Sequence, residues 1–142
     1  MGKLVLDWEE SNSFDFDLIG ISANIPDYQL VAKINEVLHI DLERKRDDYT
    51  YMSKNELDNK YFRWYSYIPK DEDLEIYLIV NKGDNGYLVE EIKQMNSFVL
   101  IFGELNYLKS NEVAQQIKSI PQVIASTIID IDTLKSKNNF IF

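Results

Sequence analysis

Tyr61, Arg63, Tyr65 and Tyr67 occupy every second position of the segment Tyr61-Phe62-Arg63-Trp64-Tyr65-Ser66-Tyr67. On a β-strand that spacing places all four on one face, with Phe62, Trp64 and Ile68 on the other. If the apolar set faces a core, a row of phenols and one guanidinium stands outside. Flat rings beside a guanidinium can stack on nucleic-acid bases. Tyr and Arg are equally the residues enriched at protein interfaces. The third use of such a row is cross-strand packing of the tyrosines beneath a loop or helix.

The remaining groups with chemical potential are few. Among 142 residues there is one histidine, His39, and no cysteine. The usual proton shuttle therefore has a single candidate, and thiolate nucleophiles or thiolate metal sites are excluded. His39 falls at the end of a helical pattern, where an imidazole complements the negative dipole end, so a capping role is expected. Asp15 and Asp17 share one strand face and could hold a hard cation such as Mg²⁺, although a solvated strand face commonly carries such acids. Asp84-Asn85-Gly86 resembles a fragment of a calcium loop without its spaced acids and terminal glutamate. Lys82-Gly83 lacks the upstream glycine of a phosphate-binding loop, and no Gly-x-Ser-x-Gly elbow occurs. No cofactor is expected. The closing Phe140-Ile141-Phe142 is unusual for a chain end, which is ordinarily polar and frayed, and implies docking onto the chain itself or onto a partner.

These groups are carried by a readable pattern of elements. Phe14, Phe16 and Leu18 alternate with Asp15 and Asp17 and run into Ile19 and Ile21, a strand with one wet face that becomes buried on both. Asn24-Ile25-Pro26-Asp27 reads as a helix start with a capping side chain, an early proline and an acid at the positive dipole end. Leu30, Val31, Ile34, Val37 and Leu38 then follow at helical spacing. Residues 42–51 read as a solvated edge strand, followed by a turn from Ser53 to Asn59. The strands of residues 62–68 and 74–80 are joined through the acidic tip Asp71-Glu72-Asp73. Gly83-Asp84-Asn85-Gly86 is a second turn. Phe98 to Phe102 suits a central strand. Residues 110–119 repeat the helical pattern with Ser110 as cap, and Val123 to Ile131 is a β-branched final strand. The order β-α-β-β-β-β-α-β gives a single domain, 1–142, of the α+β class. The expected architecture is a two-layer sandwich of two helices on a mostly antiparallel sheet, with a ferredoxin-like core and an added hairpin.

Charge is unevenly distributed within a net of −9. Residues 1–30 hold one Lys against six acids, and residues 70–93 hold three Lys against seven acids. Such a surface repels nucleic-acid phosphates and anionic membranes unless a local basic patch overrides it. The apolar run near Met1 is too short for a signal-peptide core, and Leu6 stands where myristoylation requires Ser or Thr. A cytoplasmic, soluble protein without a membrane segment is the expectation.

Lys3-Leu4-Val5-Leu6-Asp7, Phe14-Asp15-Phe16-Asp17-Leu18-Ile19-Gly20-Ile21, Asp27-Tyr28-Gln29-Leu30 and the closing Leu134 to Phe142 together resemble the small IPExxxVDY family of Bacteroidota. In the naming motif, Ile120-Pro121-Gln122 carries Gln for Glu, and Ser126-Thr127-Ile128 stands in place of Val-Asp-Tyr. The resemblance implies no assigned activity and transfers no functional residue. With no catalytic constellation in view, the expected function is a non-enzymatic protein-binding, adaptor-type module. Its interface would be Tyr61, Arg63, Tyr65, Tyr67, Phe140, Ile141 and Phe142, and its partner another protein. RNA binding through the Tyr61–Tyr67 strand is the alternative, disfavoured by the net charge, and a carboxylate enzyme using a divalent cation on Asp15 and Asp17 is a third. A homodimer could form through the edge strand 42–51.

Overall fold

The long apolar runs pair into one antiparallel sheet in the computed structural model, which describes residues 15–51, 59–105 and 108–140. In chain order the elements are β1 (Asp17–Ala23), α1 (Asp27–Leu38), β2 (Glu43–Arg44), β3 (Tyr49–Tyr51), β4 (Lys60–Phe62) and β5 (Trp64–Tyr67). They continue with β6 (Leu74–Val80), β7 (Lys82–Gly83), β8 (Gly86–Tyr87), β9 (Ser97–Gly103), α2 (Ser110–Lys118) and β10 (Val123–Ile129). Six strands form the main sheet in the order β10-β1-β9-β6-β5-β2, while β3 pairs with β4 and β7 with β8 in two small ladders. The run β10-β1-β9-β6 with two helices is the split β-α-β arrangement of a ferredoxin-like core. β5 and β2 extend it at one edge, so the α+β sandwich expected from the element order is the fold observed.

Register explains which side chains meet. Ile19, Val99, Leu78 and Tyr65 lie opposite one another across β1, β9, β6 and β5. That row faces the helices, where Leu30, Val31, Ile34 and Leu38 of α1 and Val113, Ala114 and Ile117 of α2 complete the core. The next row, Phe98, Ile79 and Trp64, faces the other way. That second face is also covered, by Leu88, Val89, Ile131, Leu134 and Phe140 together with Tyr49 of β3. A sheet buried on both faces accounts for the unbroken run Phe98-Val99-Leu100-Ile101.

The same fact corrects the expectation for the tyrosine row. With both faces covered, the row opposite Phe62 and Trp64 is only partly outside: Tyr61 and Arg63 are exposed, Tyr67 is half-buried and Tyr65 is buried. Tyr65 belongs to the helix-side core and Tyr67 packs against it. The strand itself breaks at Arg63, between β4 and β5. Residues 42–51 likewise do not form one edge strand: only Glu43 and Arg44 pair with β5, and Tyr49–Tyr51 pair with β4. The turn expected from Ser53 lies, except for Asn59, outside the described residues.

Helix ends differ in detail from their sequence signals. Pro26, not Asn24, is the N-cap of α1, and its carbonyl accepts from the Leu30 N–H at 3.0 Å. Asn24 instead donates its backbone N–H to the Gln122 carbonyl at 3.2 Å. His39 ends α1 through its backbone: it takes the left-handed conformation (φ 56°, ψ 48°) and its N–H reaches the Asn35 carbonyl, while the side chain is exposed. Ser110 is the first helical residue of α2 and its hydroxyl donates to the Asp17 carboxylate, whereas Lys109 is the N-cap. No described helix is long and apolar enough to cross a membrane.

The segment after β8 has almost no regular structure and is held by one buried side chain. Asn81 is 1% exposed. Its amide Nδ2 donates to the Met95 carbonyl at 2.9 Å, and its Oδ1 accepts from the Val89 N–H at 2.8 Å. Its backbone N–H donates to the Asn96 carbonyl and its own carbonyl accepts from Leu88, both at 2.8 Å. Asn96 carries the connection to β1, donating its N–H to Ile21 at 2.7 Å and accepting from the Ala23 N–H at 2.6 Å.

Two stability predictions come from these contacts. Asn81→Leu keeps the branched shape of the side chain but leaves the Val89 N–H and Met95 carbonyl without partners, so urea unfolding should show a loss of about 2–4 kcal/mol. His39→Gly removes the steric cost of a left-handed non-glycine residue, and the same measurement should show a gain of about 0.5–1 kcal/mol.

Candidate functional site: a cationic cleft

Lys82 reaches the site because of the glycine beside it. A Cβ on Gly83 would meet the Tyr61 carbonyl oxygen at 2.1 Å and the Phe62 ring at 2.6 Å. Only glycine permits the β7–β8 hairpin to lie this close to β4. The Asp84 N–H bonds the Tyr61 carbonyl at 3.0 Å, and Asn85 takes φ 70° to complete the turn. Lys82 and Asp84 are thereby set beside Tyr61 and Arg63.

Two adjoining depressions of about 290 and 530 Å³ share Arg63, Val80 and Lys82 as their common wall. The smaller extends over Ile25, Pro26 and Met95 to Tyr87 and Lys93. The larger extends to Tyr61, Arg44 and Asp84. Four cations, each from a different part of the chain, thus line the two depressions, together with the acids Asp27, Asp48 and Asp84. Arg44 pairs with Asp48 at 3.4 Å, and Lys93 lies 3.8 Å from Glu90 with its ammonium 5.4 Å from the Tyr87 ring centre. Lys82 is exposed and, among the described residues, makes no ion pair. Tyr61, 40% exposed, offers a ring at the rim of the larger depression.

Arg63 is fixed by a fork of hydrogen bonds. Its Nε and Nη2 donate to the two Asp27 carboxylate oxygens at 3.2 and 3.0 Å, and the Tyr65 hydroxyl donates to Asp27 Oδ2 at 2.7 Å. Burial by itself would raise the Asp27 carboxyl, but hydrogen bonds from Arg63 and Tyr65 and the Arg63 charge outweigh it and hold the group below its ordinary value. Burial, and then the bond to Asp27, push Tyr65 up to about 12, so it stays a neutral donor. The helix acid read from sequence as a dipole partner is therefore an anchor for a guanidinium from across the sheet.

The residues singled out from sequence are dispersed. Tyr61 and Arg63 line the cleft, while Tyr65, 6% exposed, supports it from below and Tyr67 takes no part. Phe140 is buried against the chain's own Phe16 and Phe98, with ring centres 6.1 and 6.0 Å apart. Ile141 and Phe142 lie outside the described residues. Asp15 precedes β1 and is exposed, and Asp17 is occupied by Ser110. The described residues contain no group of three or more His, Cys, Asp or Glu placed to hold a metal ion. Sequence reasoning missed Arg44, Lys93 and Tyr87, and set Lys82 aside because Lys82-Gly83 lacks the upstream glycine of a phosphate-binding loop. Lys82 alone carried a local signal, its place beside the glycine turn.

No family model matches the chain. A curated protein of Staphylococcus haemolyticus (strain JCSC1435), named probable nicotinate-nucleotide adenylyltransferase, is 27% identical over 107 residues, covering 72% of this chain and 50% of the relative. The chain spans about half the length of the curated relative it matches. That similarity overturns the expectation of a non-enzymatic adaptor, since the relative is named as an enzyme of nucleotidyl transfer. The RNA-binding alternative loses its exposed aromatic row, because Tyr65 is in the core.

The anchor under Arg63 sets an acid limit on the folded site. Because the folded Asp27 carboxyl titrates below its unfolded value, its stabilisation is complete above the unfolded pKa and is lost as pH falls through the folded one. Wild type should be more stable than Asp27→Asn at neutral pH, and the difference should shrink to nothing in strong acid. Urea titrations of both proteins across pH 2–7 measure it.

Proposed function

We propose that the chain is a nucleotide-binding unit of an enzyme in the nucleotidyl-transfer class, with the cleft between β4, β7 and the start of α1 as its nucleotide site. The observation that carries this reading is the convergence of Arg44, Arg63, Lys82 and Lys93 on one cleft in a chain of net charge −9. Asp27 and Asp48 in the same lining are engaged by Arg63 and Arg44, so Lys82 and Lys93 against Asp84 leave one positive charge in excess, where the chain as a whole is acidic, and an anionic ligand is favoured there. The relative's name supplies the reaction class.

The residues divide naturally between the parts of a nucleotide. Lys82 and Arg63, at the wall common to both depressions, receive the phosphates. Lys93 and Arg44 extend the positive field to either side. Tyr61 and Tyr87 present rings on which a base can stack. Transfer of a nucleotidyl group joins a nucleophilic phosphate oxygen to the α-phosphorus while pyrophosphate leaves. Such reactions depend mainly on positioning and on neutralising charge at the phosphoryl oxygens. They need neither a histidine base nor a cysteine nucleophile, so the scarcity of such residues was no evidence against an enzyme.

Calorimetric titration with ATP and with nicotinate mononucleotide at low salt tests the assignment. Wild type should bind at least one of them. Lys82→Glu with Lys93→Glu should weaken binding by about ten- to a hundredfold, the worth of about 1.5–3 kcal/mol in lost charge-assisted bonds. A folded wild type that binds neither ligand at millimolar concentration would refute it.

A further inference from the structure

The two edges of the six-stranded sheet are unlike. At one, β2 presents two charged residues, Glu43 and Arg44, and is too short to template another strand. At the other, β10 is seven residues long, Val-Ile-Ala-Ser-Thr-Ile-Ile, without a charge, proline or glycine. Among the described residues it pairs only with β1. Soluble proteins ordinarily blunt such an edge with lysine or proline, and here neither is present.

Three side chains along β10 lack the partners their chemistry calls for. Ile124 and Ile128 are 62% and 44% exposed. Midway between them, the Ser126 hydroxyl oxygen is buried with no hydrogen-bond partner. Ile128 and Ser126 lie opposite Ile19 and Ile21 of β1, and therefore share the helix-side face. The register shifts between Ser22 and Ala23, so Ile124 is the extra residue of a bulge without a β1 partner, which leaves its side chain at the open edge, while Ala125 to Ile129 pair regularly.

We infer that β10 pairs antiparallel with β10 of a second copy of this chain about a two-fold axis at Ser126. In that register Ser126 faces its counterpart, Ile124 faces Ile128 of the other copy, and Ile128 faces its Ile124. Each exposed isoleucine then covers the other across the new ladder. Like-charged copies of an acidic chain repel except where an uncharged surface meets its equal, and β10 is such a surface. An isologous contact of this kind closes on itself and yields a dimer, not a filament. Its contact is one strand wide, so the association is weak and concentration-dependent.

Sedimentation velocity from about 5 to 500 µM tests this, alongside hydrogen exchange of the β10 amides over the same range. The wild type should pass from monomer to dimer, with β10 amides exchanging more slowly as concentration rises. Ile124→Lys with Ile128→Lys should keep the wild-type circular dichroism and remain monomeric throughout. The inference is overturned by a wild type that stays monomeric at the highest concentration, or by a dimer that the two lysines leave intact. It is also overturned if the β10 amides are equally protected at every concentration, because another segment of the same chain then occupies the edge.

Discussion

Asn81 sits at the end of β6, where the chain leaves the sheet, and its carboxamide stands in for the regular ladder that the following segment lacks. Segments without helix or strand must find other partners for their backbone groups when they are buried. Here one side chain serves Val89 and Met95 while its own backbone serves Leu88 and Asn96. Asn96 passes the constraint on to Ile21 and Ala23 of β1. Leu88 and Val89 are thereby pressed onto the second face of the sheet, and Lys93, Met95 and Asn96 are brought to the cleft. Core and candidate site hang from the same group.

The covered second face decides the fate of most of the described aromatic residues. Trp64 stacks on Tyr77 with ring centres 5.5 Å apart, and Tyr49 meets the edge of Trp64 at 5.2 Å. The Tyr49 hydroxyl reaches the Asn139 carbonyl, and the Asn139 amide reaches the Leu88 carbonyl at 2.6 Å. These bonds seat the segment that carries Phe140 against the sheet. An amphipathic aromatic can satisfy its polar end at the margin of a core while burying its ring. That capacity makes a tyrosine-rich strand compatible with burial as well as with an interface.

Electrostatics shape the cleft by arranging charges of both signs. Asp27 is held ionised by Arg63 and Tyr65, and in return it pins the guanidinium in one orientation. A preorganised cation costs less to use than one that must be immobilised when a ligand arrives. Lys82, free of an ion pair among the described residues, supplies charge that an internal acid does not offset. The −9 net charge of the chain is thus a poor guide to the potential at this one place.

Local patterns in the sequence determined the elements. Period-two and unbroken apolar runs marked β1, β6, β9 and β10, helical spacing marked α1 and α2, and their order implied the α+β class. Such signals depend on residues a few positions apart, and they survive whatever the rest of the chain does. Tertiary structure alone decided that the sheet is covered on both faces, which moved Tyr65 from surface to core. It alone turned Asp27 from a helix-end acid into the anchor of Arg63. It alone gathered Arg44, Arg63, Lys82 and Lys93, because their approach depends on strand order, on the Gly83 contact and on Asn81. No window of adjacent residues contains those three constraints, so the cleft could not be read before the chain was folded.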